Sequence, residues 1–266
     1  MRLKKEKLLL EEAVTLYASD GMRVEARLWH RGGKKGPLTI VAPGFSQNKD
    51  TPIMRRACAI LADYGDVLCL DFRGTGQSAG RYHFGAEEQF DVEAALRWAR
   101  RRTKDVELLG FSMGGYIALR AAAETPGYVM RLYLVSAPTR VEDIIRTLGP
   151  LRQLAVLPRP DVLKVRFWAG SDYFFRWGTA LRAKPRGEEL AKKLKCPVAT
   201  LVGGWDQLVL PRLSRRIHDA APTRKSYTVF ERGHHAEYLA IMRQFEFRDW
   251  FVKSRAYLSG RGKAPA

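Results

Sequence analysis

Cysteine is scarce in this chain, with three residues in 266, at Cys58, Cys69 and Cys196. An odd number so widely scattered makes no disulfide framework. Cys58 falls in a helix pattern and Cys69 in a strand pattern, where buried thiols are common, so a reducing compartment, the cytoplasm, is expected. Long apolar runs are missing as well, since no window approaches the roughly 18 unbroken apolar residues of a membrane span. The start, MRLKKEKLLLEEA, is basic but offers only three leucines before acids intervene, and reads as neither anchor nor signal peptide. Histidine is limited to five residues, and no H-E-x-x-H or spaced Cys/His set occurs, so neither a metal site nor a cofactor is expected. Acidic residues are also few, 28 against 46 basic ones, for a formal net charge of +18. Such a charge attracts nucleic acid, anionic surfaces or acidic substrates. Its distribution argues against a dedicated patch. Arg55 and Arg56, Arg100 to Arg102, Lys192, Lys193 and Lys195, and Arg215 and Arg216 each sit in or at the end of a helix-like segment, not along one stripe with interleaved aromatics. Solvated faces with weak attraction to anionic surfaces are expected, without specific nucleic-acid binding.

Apolar residues, by contrast, are plentiful at 46%, enough for one large core with an insertion. Eight strand-like segments can be read along the chain. VTLYAS (14–19) and MRVEARLWH (22–30) flank Asp20-Gly21, a two-residue hairpin signal. LTIVAPG (38–44), DVLCLD (66–71), VELLGF (106–111), RLYLVSA (131–137), VATLVG (198–203) and SYTVF (226–230) follow as short buried strands. Helical spacing fills about 51–64, 86–102, 113–125, 211–219 and 236–253, the last with Tyr238, Leu239, Met242, Phe245 and Trp250 near one face. The rhythm breaks once. Roughly 60 residues separate RLYLVSA from VATLVG, too many for one crossover, and they carry Phe167, Trp168, Tyr173, Phe174, Phe175 and Trp177. A helical lid over 139–196 is expected, its aromatics either lining a pocket or forming the lid's own small core. Core segments 1–138 and 197–258 would flank it, with 259–266 as a flexible tail.

The run VELLGFSMGGYIALRAAAE carries the chemistry. A strand pattern ends on Gly110-Phe111-Ser112-Met113-Gly114 and a helix pattern begins at once, the arrangement of a nucleophile elbow. Ser112 is the nucleophile candidate. A serine hydroxyl needs a base, an acid to orient the base, and donors for the oxyanion. Asp206 follows a strand's carboxyl end in Gly204-Trp205-Asp206-Gln207, with Glu142 and Asp143 as replacement acids. The next strand leads to Glu231-Arg232-Gly233-His234-His235, and His234 is preferred over His235 because a residue directly after the glycine can sit at the loop apex. The amides of Met113, next after the serine, and of Phe45, in the Pro43-Gly44-Phe45-Ser46 loop, are the expected oxyanion donors.

With APGFSQNKD, DFRGTGQSAG, GFSMGG, GGWDQLV and GHH in this order, the chain resembles the α/β-hydrolase superfamily. The likeness is to its small serine esterases, lysophospholipase-like and cinnamoyl-esterase-like members and serine-aminopeptidase relatives. The resemblance covers most of the chain and implies a doubly wound, mostly parallel eight-stranded sheet of α/β class, a lid after the sixth strand, and the triad Ser112, Asp206 and His234. It departs at Pro43, where the family usually has histidine. By the same resemblance Asp71, Arg73, Gly74, Gly76 and Ser78 shape a loop beside the site. The expected activity is hydrolysis of a small-molecule acyl ester. Thioesterase or acyltransferase activity, aminopeptidase-like amide hydrolysis and a non-catalytic binding role on the same scaffold are the alternatives, and the sequence leaves the oligomeric state open.

Overall fold

A hairpin opens the fold: β1 (Leu10–Tyr17) and β2 (Arg23–His30) pair antiparallel around Gly21, whose φ of 81° makes the tight turn accessible. The computed structural model describes residues 8–32, 36–140, 142 and 183–265. β2 also pairs antiparallel with β4 (Asp66–Leu70), and from there every ladder is parallel. β3 (Leu38–Ala42), β5 (Val106–Phe111), β6 (Arg131–Val135), β7 (Val198–Gly203) and β8 (Lys225–Phe230) complete an eight-stranded sheet in the order β1-β2-β4-β3-β5-β6-β7-β8. This is the α/β-hydrolase fold. The boundaries differ from the sequence reading by only a few residues, β1 beginning four earlier at Leu10.

Both faces of the sheet are covered, and side chains of one strand alternate between them with period two. Ile40, Leu68, Leu108 and Leu134 face α2 (Gln89–Arg100) and α3 (Met113–Glu124), sharing that side with α4 (Gly187–Ala191) and α5 (Pro211–Ala220). Val41, Cys69, Leu109 and Val135 face α1 (Pro52–Leu61), α6 (Glu237–Met242) and α7 (Gln244–Leu258). Strands buried on both sides explain why their sequences read as continuous apolar runs. The three cysteines are buried and unpaired.

The segment expected as one helix over 236–253 is two helices. Arg243, at φ −122° and ψ 43°, interrupts the helical backbone between α6 and α7. Its supposed single apolar face divides accordingly: Leu239 and Trp250 are buried, whereas Tyr238, Met242 and Phe245 are exposed. Of the expected insertion, residues 141 and 143–182 lie outside the described residues, Asp143 and the aromatics at 167–177 among them. Among the described residues no helix is long and apolar enough to cross a membrane, and no cluster suited to a metal ion is present.

The amino ends of the central strands are tied by charge. Glu107 on β5 is wholly buried, accepts hydrogen bonds from Thr39 Oγ1 (2.9 Å), Tyr133 Oη (2.9 Å) and Arg131 Nε (2.6 Å), and pairs with Arg255 of α7. Burial raises the cost of its charge, but the two guanidinium groups outweigh that penalty and hold its carboxyl below the ordinary carboxylate range. This network lies at the sheet edge opposite the site described next.

Candidate active site

Ser112 stands between β5 and α3 at φ 50° and ψ −120°, a conformation non-glycine residues rarely adopt. The chain can hold it there because strand and helix approach without side chains between them. A Cβ on Gly110 would meet the Gly114 carbonyl oxygen at 2.5 Å, and one on Gly114 would lie 2.2 Å from the carbonyl oxygens of both Ala42 and Pro43. Gly114 thus brings the end of β3 directly against the start of α3. The Ser112 amide donates to Val135 O (2.8 Å), while the Met113 amide, first in the helix, has no acceptor among the described residues. An unpartnered amide at a helix start favours negative charge beside it.

The imidazole of His235 bridges the serine and the acid. Its Nε2 lies 2.8 Å from Ser112 Oγ and its Nδ1 lies 2.8 Å from Asp206 Oδ2. The other Asp206 oxygen, Oδ1, accepts from the amides of Leu208 (3.0 Å) and Val209 (2.9 Å), so both carboxylate oxygens are engaged and the side chain is fully buried. With Asp206 against Nδ1, the proton sits on Nδ1 and Nε2 is left as an acceptor toward the hydroxyl. Ser112 and Asp206 therefore lie where the sequence reading expected them to meet.

The histidine is different, and the structure corrects it. His234 is exposed and turned from Ser112, its ring edge-on to the exposed Trp205 with centroids 5.9 Å apart. The reason lies in where the loop turns. Gly233 N donates to Phe230 O (2.7 Å), closing the turn over Glu231 and Arg232, so the apex comes before the glycine rather than after it. Gly233 is buried, its carbonyl accepting from Trp205 N (2.9 Å), and past it the two rings go opposite ways, His234 against Trp205 and His235 between Ser112 and Asp206. His234 consequently faces out and His235 in. Ala236, at φ 41°, completes the inward turn, with its amide 3.2 Å from Ser136 Oγ.

Phe45 occupies the loop after β3 as expected, its ring 5.5 Å from that of Phe84 and 5.7 Å from that of Tyr82. The loop is anchored on one side by Lys49. Its amide donates to Asp71 Oδ1 (2.8 Å) and its ammonium to Asp71 Oδ2 (2.8 Å), Asp50 Oδ2 (2.7 Å) and Gln77 Oε1 (3.0 Å). Burial works against the ammonium, but Asp71 and Asp50 more than compensate and its pKa stands above the usual value. On the other side is a residue the sequence reading missed. Glu237, two after His235, accepts from the Gly44 amide through Oε1 at 2.9 Å. Its carboxyl is buried, which raises its pKa above the ordinary range even though His235 and the Gly44 amide oppose the shift. The available signal was an acid within the otherwise apolar stretch AEYLAIM, where a solvated face would not be expected.

Comparison with known proteins agrees with this architecture. Residues 43–156 match the sequence model of the α/β hydrolase fold family. An uncharacterized protein of Rickettsia prowazekii is 32% identical over 111 residues, 39% of this chain and 47% of the relative, so the matched part spans about half of that protein. An uncharacterized protein of Mycobacterium tuberculosis H37Rv is 27% identical over 229 residues, covering 81% of this chain and 69% of the relative. Among solved structures, an esterase of Pyrococcus furiosus superposes with a TM-score of 0.74 at 18% identity, covering 96% of this chain and 93% of that one. An enol-lactonase of Burkholderia xenovorans LB400 does so with a TM-score of 0.69 at 19% identity, covering 90% and 99%. At such identities the structural likeness speaks for the fold. The chain has the α/β-hydrolase fold, and its residues 43–156 are similar to that family's sequence model.

Proposed function

We propose that this protein is a serine hydrolase of carboxylic acyl esters, working through an acyl-enzyme intermediate. The observation that carries the reading is His235 bridging Ser112 Oγ and Asp206 Oδ2 at 2.8 Å on each side. Ser112 Oγ attacks the ester carbonyl while its proton passes to His235 Nε2. Asp206 keeps the other ring proton on Nδ1 and stabilises the imidazolium that forms. The oxyanion is held by the amides of Met113 and Phe45, the first at a helix start and the second in the loop that Gly114 brings against that helix. His235 then protonates the departing alcohol. A water molecule, deprotonated by the same Nε2, releases the acid and restores Ser112. Buried thiols suit a cytoplasmic enzyme, and no step requires a cofactor or metal.

Thioesters and amides follow the same course with a different leaving group, so preference among them resides in the pocket. The test is labelling by a fluorophosphonate probe, followed by p-nitrophenyl esters of graded chain length beside thioester and aminoacyl-amide substrates. The parent protein is expected to be labelled and Ser112→Ala not; equal labelling of the two would end the hydrolase reading.

A further inference from the structure

We propose that Glu237 is a positioning residue that sets the oxyanion loop relative to the catalytic histidine, by holding the Gly44 amide on a carboxyl oxygen. The inference rests on the hydrolase reading above.

Two pieces of the site arrive from distant parts of the chain: the loop after β3 around Gly44 and Phe45, and the loop after β8 that ends in His235 and Ala236. Glu237, the first residue of α6, directly follows the second and is bonded to the first, Oε1 to Gly44 N at 2.9 Å across 193 residues of sequence. The contact is built for this oxygen. A Cβ on Gly44 would lie 2.0 Å from Oε1 and 3.0 Å from the carboxyl carbon, so the glycine admits the carboxyl into the space a side chain would fill. The carboxyl is buried, and a positive charge on His235 opposes the upward shift that burial imposes. A buried carboxyl is costly to keep. One that bonds the amide next to the expected oxyanion donor, from a position two residues after the histidine, has a stated reason to be there. Oxyanion donors act only at hydrogen-bond distance from the developing charge, so a loop released by a few tenths of an ångström gives up part of their effect.

The role separates from plain stability by which kinetic constant moves. Glu237→Met keeps volume and removes the acceptor, leaving the Gly44 N–H unpaired. It is expected to lower kcat by about 10- to 100-fold on an ester the parent hydrolyses, with KM within about threefold, because the donors serve the transition state. Glu237→Gln retains a carbonyl oxygen for Gly44 and should recover most of that kcat. Gly44→Ala perturbs the contact from the other side, and the loss in the double variant with Glu237→Met should be smaller than the product of the two single losses. Full kcat in Glu237→Met, or Glu237→Gln as impaired as Glu237→Met, overturns the proposal. Should Glu237→Met fail to fold, Gly44→Ala decides alone: an unchanged kcat there refutes the tether. A parent protein that neither reacts with fluorophosphonate nor cleaves any ester sinks the hydrolase reading and this inference with it, whereas an active parent with an unaffected Glu237→Met sinks this inference only.

Discussion

Replacing Asp206 by asparagine changes one atom, and the surroundings of that carboxylate dictate what the new group must do. Oδ1 accepts from the Leu208 and Val209 amides, and Oδ2 faces His235 Nδ1. An asparagine that turned its NH2 toward Leu208 and Val209 would oppose donor to donor and lose two buried hydrogen bonds, a cost of about 1–3 kcal/mol for each unsatisfied group. The amide oxygen therefore stays on the two backbone amides, and the NH2 turns to Nδ1. Imidazole facing a donor at Nδ1 carries its proton on Nε2, where it cannot accept one from Ser112 Oγ. Wrong-tautomer variants of this kind lose about 10⁴-fold in kcat, and at 1.36 kcal/mol per factor of ten this is about 5.4 kcal/mol of transition-state stabilisation. The fold should survive, since every backbone contact of the side chain is kept. Steady-state hydrolysis of a p-nitrophenyl ester, beside thermal unfolding of the same preparation, measures both. Turnover within tenfold of the parent, with unfolding unchanged, would refute the reasoning and shift the orienting role to another carboxylate, with Glu142 the first to test.

The adjacent histidines give a second contrast. His235→Ala should abolish measurable turnover, at a cost of about 10⁴-fold or more, whereas His234→Ala, which loses only a surface ring contact with Trp205, should stay within about twofold in the same ester assay. At the other end of the sheet, Glu107→Gln leaves Arg131 and Arg255 without their buried counter-charge and should cost about 3 kcal/mol in denaturant unfolding at pH 7. Because the Glu107 carboxyl titrates below its unfolded value, its contribution is present above the unfolded pKa of about 4.3 and lost as pH falls through the folded one. The stability gap between parent and variant should therefore narrow on acidification below about pH 4; a gap independent of pH would contradict that assignment.

How much of this was legible in the sequence follows from which signals are local. The buried strands declare themselves as apolar runs between turn residues, and the elbow through Gly110, Ser112 and Gly114, because each is set by neighbours a few positions away. The helix break at Arg243 was not legible, since nothing about an arginine within the run IMRQFEF marks a backbone at φ −122° and ψ 43°. Choosing between His234 and His235 required knowing where the turn after β8 closes, which depends on a bond from Gly233 back to Phe230. The partnership of Glu237 with Gly44 was out of reach for a plainer reason: it joins residues at opposite ends of the chain that only the folded sheet brings together.

The strand order carries one consequence for the life of the polypeptide. β5, which bears the serine, and β8, which delivers the imidazole, are separated in the sheet by β6 and β7, a span of about 14 Å at the usual strand spacing. A nascent chain leaving the ribosome thus presents Ser112 123 residues ahead of His235. The proposed contact between Ser112 and His235 therefore cannot form until β8 has docked beside β7, however early β5 takes its place.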